Sequence, residues 1–229
     1  LLQSVADNTE PETFRLYRPG PVVVFGPQDA RAMGYKKAVQ VSHDGGFDTV
    51  QRLAGGRAAV FHSNTIAFAW TNPDSHNRST IEDRFQKMAS FLVSTFRNLG
   101  IDARIGEVSG EYCPGRFSVN ARGQKKIAGL GQRVISGAAH VGGVVVVDGS
   151  EEVRDILIPV YDALQLEWDP NTSGSLADEV AGITLAKVHQ SLIEGLTVQY
   201  DIFEDSFSAD SIAHAEAIES LYHVQPFIS

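Results

Sequence analysis

The chain has 229 residues, 43% of them hydrophobic and 21% charged, and carries a net charge of −9. That length buries a substantial core without disulfides or metals, and a single cysteine excludes an intramolecular disulfide and any cysteine-rich metal or cluster site. The acidic balance argues against nucleic acid, which needs a basic face to displace counterions.

The opening "LLQSVADNTEPETF" has neither a basic n-region nor an apolar stretch of signal-sequence length. "TFRLYR" alternates and meets the breaker "PGP"; "VVVFG" is a short β-branched run; "DTVQRL" and "RAAVFH" flank Gly55-Gly56; "IAFAW" follows. All of these read as strands joined by loops. The first marked helix opens at Ser79, paired with Glu82 as a capping box. Ile81, Phe85, Met88, Ala89, Leu92 and Phe96 then recur at helical spacing, and Gly100 ends the run. A strand around "ARIGEV" leads to a loop, "GEYCPGRF". "RFSVNA", "KKIAGLGQRV" and "AAHVGGVVVV" read as three antiparallel strands turning at Arg122-Gly123 and Ser136-Gly137.

Ser150 opens an amphipathic helix through Val153, Ile156, Leu157, Val160 and Leu164, which Pro159 is expected to kink or shorten. Thr184 caps another helix, with Ile183 and Val188 at the two positions of a hydrophobic staple. "FSADSIAHAEAIESLYHV" reads as a final helix packed on the domain. The mixture lacks regular βαβ alternation, which predicts an α+β fold with a mostly antiparallel sheet flanked by helices. One domain spanning 1–229 is expected, with 200–229 as a C-terminal helical extension. The apolar run "GGVVVVDG" is too short for a bilayer, so a soluble, cytoplasmic protein in a reducing compartment is expected.

Three stretches combine small residues with a polar or reactive side chain: "RLAGGRAAVF", "EYCPGRF" and "KKIAGLGQR". The glycine pair removes bulk beside a ligand, or forms a bulge or tight turn. Cys113 is either an inert buried thiol or a nucleophile presented on a "CPG" loop, which requires a nearby cation or N–H dipoles. Lys125 and Lys126 point to opposite faces of a strand, and spacing alone does not say which faces inward. A buried lysine needs an anionic partner or a task. Lys125, Lys126, Arg116, Arg122 and Arg133 form a local basic cluster. His62, His76 and His140 have no metal-ligand spacing and read as surface or satisfied core groups, so no metal site is expected.

In this order the three stretches resemble the lipoate–protein ligase A and octanoyltransferase family, which shares its catalytic fold with biotin protein ligases. The ATP-using ligases carry a third glycine where this chain has Arg57. Counted without gaps, their histidine column falls on Phe61 and their aspartate column on His62, so His62 takes no role from them. Tyr112-Cys113-Pro114-Gly115-Arg116-Phe117 and Lys125-Lys126-Ile127-Ala128-Gly129-Leu130-Gly131-Gln132-Arg133 instead resemble the cysteine-dependent octanoyl-[glycine cleavage H protein]:protein N-octanoyltransferases. "RLAGGRAAV" fits that branch without a gap. Two departures stand out: Ser118 replaces an aspartate and Ala67 an asparagine.

The resemblance implies transfer of an octanoyl or lipoyl group through a thioester on Cys113, with Lys126 as its catalytic partner. Lys126 would favour the thiolate and hold the acyl carbonyl as ammonium, or take a proton as amine. Arg52, Gly55, Gly56, Ala58, Gly129 and Gln132 would form the acyl-binding surface, Arg52 by ordering the glycine loop rather than touching the reacting bond. No tightly bound cofactor is implied; the octanoyl or lipoyl group is cargo. The implied partners are lipoyl domains of 2-oxoacid dehydrogenases and the glycine cleavage H protein. Against a net charge of −9, docking is expected on a local basic patch of Arg57, Arg116 and Arg133. Two alternatives are an ATP-dependent lipoate–protein ligase, for which ATP would be a substrate, and a non-catalytic lipoyl-binding module.

Overall fold

The structure is a computed structural model that describes residues 1–74 and 80–226. In chain order its elements are α1 (Leu2–Ala6), β1 (Thr13–Tyr17), β2 (Val22–Phe25), α2 (Tyr35–Asp44), β3 (Asp48–Gln51), β4 (Ala59–Phe61), β5 (Thr65–Asp74) and α3 (Ile81–Asn98). There follow β6 (Ala103–Ile105), β7 (Val119–Ala121), β8 (Lys125–Ile135), β9 (Gly137–Val146), α4 (Ser150–Leu164), α5 (Leu176–Glu179), α6 (Leu185–Thr197) and α7 (Ala209–Glu219).

Alternation along the long strands explains the layers. On β5, Ile66, Phe68 and Trp70 point one way into a core shared with Met88, Leu92 and Phe96 of α3 and Val188 and Leu192 of α6. The small Ala67 and Ala69 necessarily point the other way. β9 divides likewise, with Val145 in that first core and Val146 in a second. The second core joins Val23 and Phe25 of β2, Val39 of α2, and Val153, Leu157 and Val160 of α4.

Six strands form an antiparallel sheet in the order β1-β5-β9-β8-β7-β6. A second sheet, β3-β2-β4, pairs β2 with β3 in parallel and with β4 antiparallel. Ten strand-paired residues join β5 to β9, and Arg122 and Gly123, both at positive φ (57° and 72°), make the tight β7–β8 turn. The α+β class and the mostly antiparallel sheet are as the sequence pattern predicts.

Several local expectations change. Ser79 lies outside the described residues; Thr80 caps α3 instead, its side chain accepting from the Asp83 N–H while Asp83 accepts from Thr80 in return. Pro159 does not shorten α4, which runs through it to Leu164 because Val160, Tyr161, Ala163 and Leu164 continue the buried face. A parallel β2–β3 pair needs a crossover, and α2 supplies it where only strands and loops were expected. The buried face of α2 consists of Ala38, Val39 and Ser42, too small and polar to register as an apolar stripe. Thr184 caps α6, and Ile183 and Val188 are both buried as a staple requires. The terminal helix α7 buries no residue. Its chain is held instead by main-chain bonds from the Gln51 N–H to Tyr222 O (2.8 Å) and from the Val224 N–H to Thr49 O (2.9 Å), which cover the edge of β3. Among the described residues no helix is long and apolar enough to cross a membrane.

On the face of β9 that carries Gly142, His140 meets the Thr71 hydroxyl at 3.2 Å. Burial, together with the positive Arg15, lowers its pKa from an ordinary 6.5 to about 4. The unfolded chain therefore takes up a proton that the folded one refuses as pH falls from about 6.5 to about 4. That difference removes about 3 kcal/mol of stability across the window, with nothing further lost from this group below it. His140→Gln is expected to flatten the pH dependence of the urea midpoint in this window relative to wild type; parallel curves would show that His140 titrates normally.

Candidate active site

The second core and the open face of β8 meet at Cys113. Cys113 sits at φ +43°, a left-handed conformation unusual outside glycine, and precedes a proline. Its N–H donates to the Tyr161 hydroxyl at 2.7 Å, and its carbonyl accepts from Lys126 Nζ at 2.7 Å. The thiol, partly exposed, faces the 52–57 loop. The Arg57 N–H lies 3.2 Å from Sγ and Arg52 Nη2 3.6 Å away. Arg52 Nη2 also donates to Arg57 O at 2.6 Å, so one guanidinium both orders the loop and reaches the sulfur. Arg52 Nε is buried and finds no acceptor among the described residues.

Of the paired glycines, Gly56 is the one the site requires. It stands at φ +102°, and a Cβ there would lie 2.7 Å from Arg52 Nη2 and 2.9 Å from Cys113 Sγ. Only a residue without a side chain lets the loop rest on the thiol. Gly131 brings the other side of the site close, since its Cβ position is 3.3 Å from the Ala54 side chain. Gly131 pairs with Gly142, which pairs with Ala69, so this face of the sheet is a floor of small residues.

Of the two lysines, Lys126 is the buried one, 1% exposed. The register steps from Asn120 opposite Lys126 to Val119 opposite Ala128, leaving Ile127 as an extra residue on β8. This bulge re-aims the strand beside the site. Lys126 Nζ donates to Glu111 Oε1 (3.1 Å), Tyr112 O (3.0 Å) and Cys113 O (2.7 Å). Three acceptors engage the three N–H bonds of an ammonium. Lys126 thus grips the backbone of the cysteine loop rather than reaching its sulfur. Lys125 is tied to Asn171 O on the far side.

Glu111, the anion this lysine requires, had no place in the sequence reading although it lies two residues before the cysteine. It is 3% exposed and accepts from the Val108 N–H (3.1 Å), the Gly115 N–H (3.1 Å) and the Ser118 hydroxyl as well as from Lys126. Ser118, where the resembling family carries an aspartate, therefore serves the carboxylate as a donor. A second buried anion, Asp29, accepts from the Gly26 N–H (3.0 Å) and the Arg57 side chain (3.3 Å). Burial raises its pKa, opposed by the Gly26 N–H and by Arg57. Tyr161 is the third residue that sequence reasoning missed.

Of the expected acyl-binding residues, Arg52 and Gly56 lie against Cys113, Gly55 faces Gly131 through its carbonyl, and Gly129 packs on Lys126, its Cβ position 3.3 Å from Cε. Ala58 is instead fully buried in the second core, so its side chain does not line an open surface. Gln132 does not join them; it bonds Arg84 and the Ile81 carbonyl of α3. The expected basic docking patch is weaker than its sequence suggests. Arg57 pairs with Asp29, and Arg116 pairs with Glu82 at 2.7 Å, so two of its three charges face a carboxylate. His62 is buried beside Glu152 at the β4–β5 connection, its ring nitrogen accepting from the Asn64 N–H (3.3 Å). Burial lowers its pKa, against the pull of Glu152. His76 lies outside the described residues.

Residues 1–197 match the lipoyl protein ligase A/B catalytic domain. The chain is 32% identical over 179 residues to an octanoyl-[GcvH]:protein N-octanoyltransferase of Exiguobacterium sp. (strain ATCC BAA-1283 / AT1b), covering 77% of this chain and 62% of that protein. It is 28% identical over 188 residues to a lipoyl-[GcvH]:protein N-lipoyltransferase of Listeria monocytogenes, covering 78% of this chain and 67% of that one. The fold is shared with lipoate-protein ligase A bound with ATP (TM-score 0.73, 19% identity, 95% of this chain and 86% of the other). It is also shared with the bi-partite lipoate protein ligase of Thermoplasma acidophilum, whose structure was described together with its E2 lipoyl domain (TM-score 0.70, 19% identity, 96% and 87%).

The contact between Gly56 and the thiol is open to a double-mutant cycle. Gly56→Ala is expected to cost about 1–3 kcal/mol, from strain at positive φ and from the clash with Sγ and Arg52. In a Cys113→Ala background, where the sulfur is gone, the cost should fall by at least about 0.5 kcal/mol. An equal cost in both backgrounds, measured by urea unfolding, would place the thiol away from this loop.

Proposed function

The chain belongs to the lipoyl protein ligase A/B catalytic-domain family, and from that membership and the Cys113 geometry we propose that it is an acyltransferase of protein lipoylation, carrying an octanoyl or lipoyl group on Cys113. The observation that carries this reading is the sulfur itself, held at an open loop with two N–H donors aimed at it. N–H donors of this kind favour the nucleophilic thiolate.

In the first step the Cys113 sulfur attacks the carbonyl carbon of an octanoyl amide on a donor protein's lysine. The S–C bond forms, the C–N bond breaks, and the thiol proton ends on the departing donor amine. In the second, an acceptor lysine amine attacks the thioester, the C–S bond breaks, and the amine's proton returns to the sulfur. Negative charge passes from sulfur to the carbonyl oxygen as the first tetrahedral stage forms, and from that oxygen back to sulfur as the second, formed by the amine, collapses. The donors that serve the sulfur, the Arg57 N–H and Arg52 Nη2, would also serve that oxygen. One such donor contributes about 3 kcal/mol to the transition state.

This gives Arg52 a share in the chemistry beyond loop ordering. It also makes Lys126 a positioning residue that acts through its charge and its grip on two carbonyls, not a proton carrier. The small-residue floor of Gly129, Gly131, Gly142 and Ala69 is where the acyl chain would lie. Burial contributes about 0.8 kcal/mol per methylene there. No tightly bound cofactor enters the scheme.

The donor and acceptor are folded acyl-carrying domains, and the names of the Exiguobacterium and Listeria relatives point to the glycine cleavage H protein as one of them. Those relatives are longer than this chain, which covers 62% of the first. ATP-dependent ligation shares the fold, but the thiol is redundant in it.

The test mixes the protein with octanoylated H protein, without ATP, and follows intact mass. Cys113 should gain one octanoyl group that hydroxylamine removes, and Cys113→Ser should gain nothing. Product formed only with ATP and free octanoate, undiminished in Cys113→Ser, would sink the relay in favour of a ligase.

A further inference from the structure

Two loops must meet for the thiol to find its donors: the 111–118 loop that bears Cys113, and the 52–57 loop that brings Arg52 and the Arg57 N–H. Lys126 and Glu111 organise the first loop internally, and Arg52 and Asp29 hold the second. A single side-chain atom bonds the main chains of both. The Tyr161 hydroxyl accepts from the Cys113 N–H at 2.7 Å and donates to Ala58 O at 3.0 Å, one residue beyond Arg57.

We infer that the Tyr161 hydroxyl is a positioning group that sets the separation between Cys113 Sγ and the Arg57 N–H, and through it the rate of acyl-enzyme formation. The Tyr161 hydroxyl spends its bonds on two main chains rather than on the sulfur, and the residue is buried, so it acts through the two loops and not on the substrate. This inference rests on the acyl-relay reading.

The chemistry suits the task. A phenol is the one group on a rigid aromatic side chain that can accept one bond and donate another at a single oxygen. Burial raises the Tyr161 pKa, with negative charge at Cys113 raising it further, so the hydroxyl keeps the proton it donates to Ala58. The ring is fixed as well. Tyr161 is 2% exposed on α4 and packs against Trp168 (centroids 5.5 Å apart), which also meets Tyr112 at 5.8 Å. The bond serves Cys113 where it is most needed, since a left-handed residue before proline is strained unless its surroundings determine it.

One further consequence separates this site from nucleophile loops that donate their own N–H to the oxyanion. Here the Cys113 N–H is already taken by Tyr161, which leaves the oxyanion to Arg52 and the Arg57 N–H.

Tyr161→Phe removes one oxygen and keeps the packing. Two rates are measured on Cys113, the only cysteine in the chain: alkylation by iodoacetamide, and single-turnover acylation by octanoylated H protein across donor concentrations. Tyr161→Phe should slow both by about tenfold or more. The half-saturating donor concentration should stay within twofold, and the far-UV circular dichroism and wild-type cooperativity of unfolding should be retained. Trp168→Phe, which alters packing on the same ring but no hydrogen bond, should leave both rates within about threefold. Wild-type rates in Tyr161→Phe would overturn the inference. So would an effect confined to half-saturation, or an equal loss in Trp168→Phe, since either would reduce Tyr161 to a packing residue. If wild type itself is alkylated but never acylated, the relay reading has failed, while the alkylation rates still decide the role of Tyr161.

Discussion

The site depends on a buried ion pair. Glu111 and Lys126 are both almost fully removed from water, and neither charge is sustainable there alone. Their geometry meets the condition under which burial is tolerated: the carboxylate takes four donors, and the ammonium spends all three N–H bonds on protein acceptors. Two of those acceptors are the carbonyls of Tyr112 and Cys113. The pair therefore converts the cost of two buried charges into a defined path for the chain, with the cysteine at a backbone conformation it would not otherwise hold. Loss of one partner leaves an uncompensated charge, which costs about 3–5 kcal/mol.

A division of labour follows. Two of the charges are locked in ion pairs, Lys126 of β8 with Glu111 and Arg57 with Asp29, so they shape the site while Arg52 is left to face the sulfur. What faces the sulfur is milder: one backbone N–H and one edge of Arg52. In the proposed relay these donors would meet a charge that moves between sulfur and oxygen with little rearrangement. The same locking leaves the protein surface with less free positive charge than its arginines suggest.

Much of the architecture was legible because it is local. The β7–β8–β9 meander, α3 and α6 announce themselves through turns, caps and periodicity within short windows. The helix α2 did not, because alanine and serine fill its buried face and a hydrophobic count passes over them. Within the site, the three small-residue stretches were visible, and so was the question that Lys126 posed. The answer, Glu111, lay two residues from the cysteine and was passed over because a lone glutamate in a loop looks solvated. Asp29, Tyr161 and the bulge at Ile127 were out of reach, for each acts across contacts that exist only after two layers have packed. The carboxylate partners of the basic patch, Asp29 and Glu82, were out of reach for the same reason, being remote in sequence.

Glu111 and Lys126 act as one unit to present Cys113. The most direct test is the single-turnover rate of Cys113 acylation in Glu111→Gln, Lys126→Met and the double variant, each first shown to be folded. The account predicts that each single change slows acylation by about a hundredfold and that the double variant is no slower than the worse single, the signature of a shared role. Acylation at the wild-type rate in folded Lys126→Met, or losses that multiply in the double variant, would contradict it.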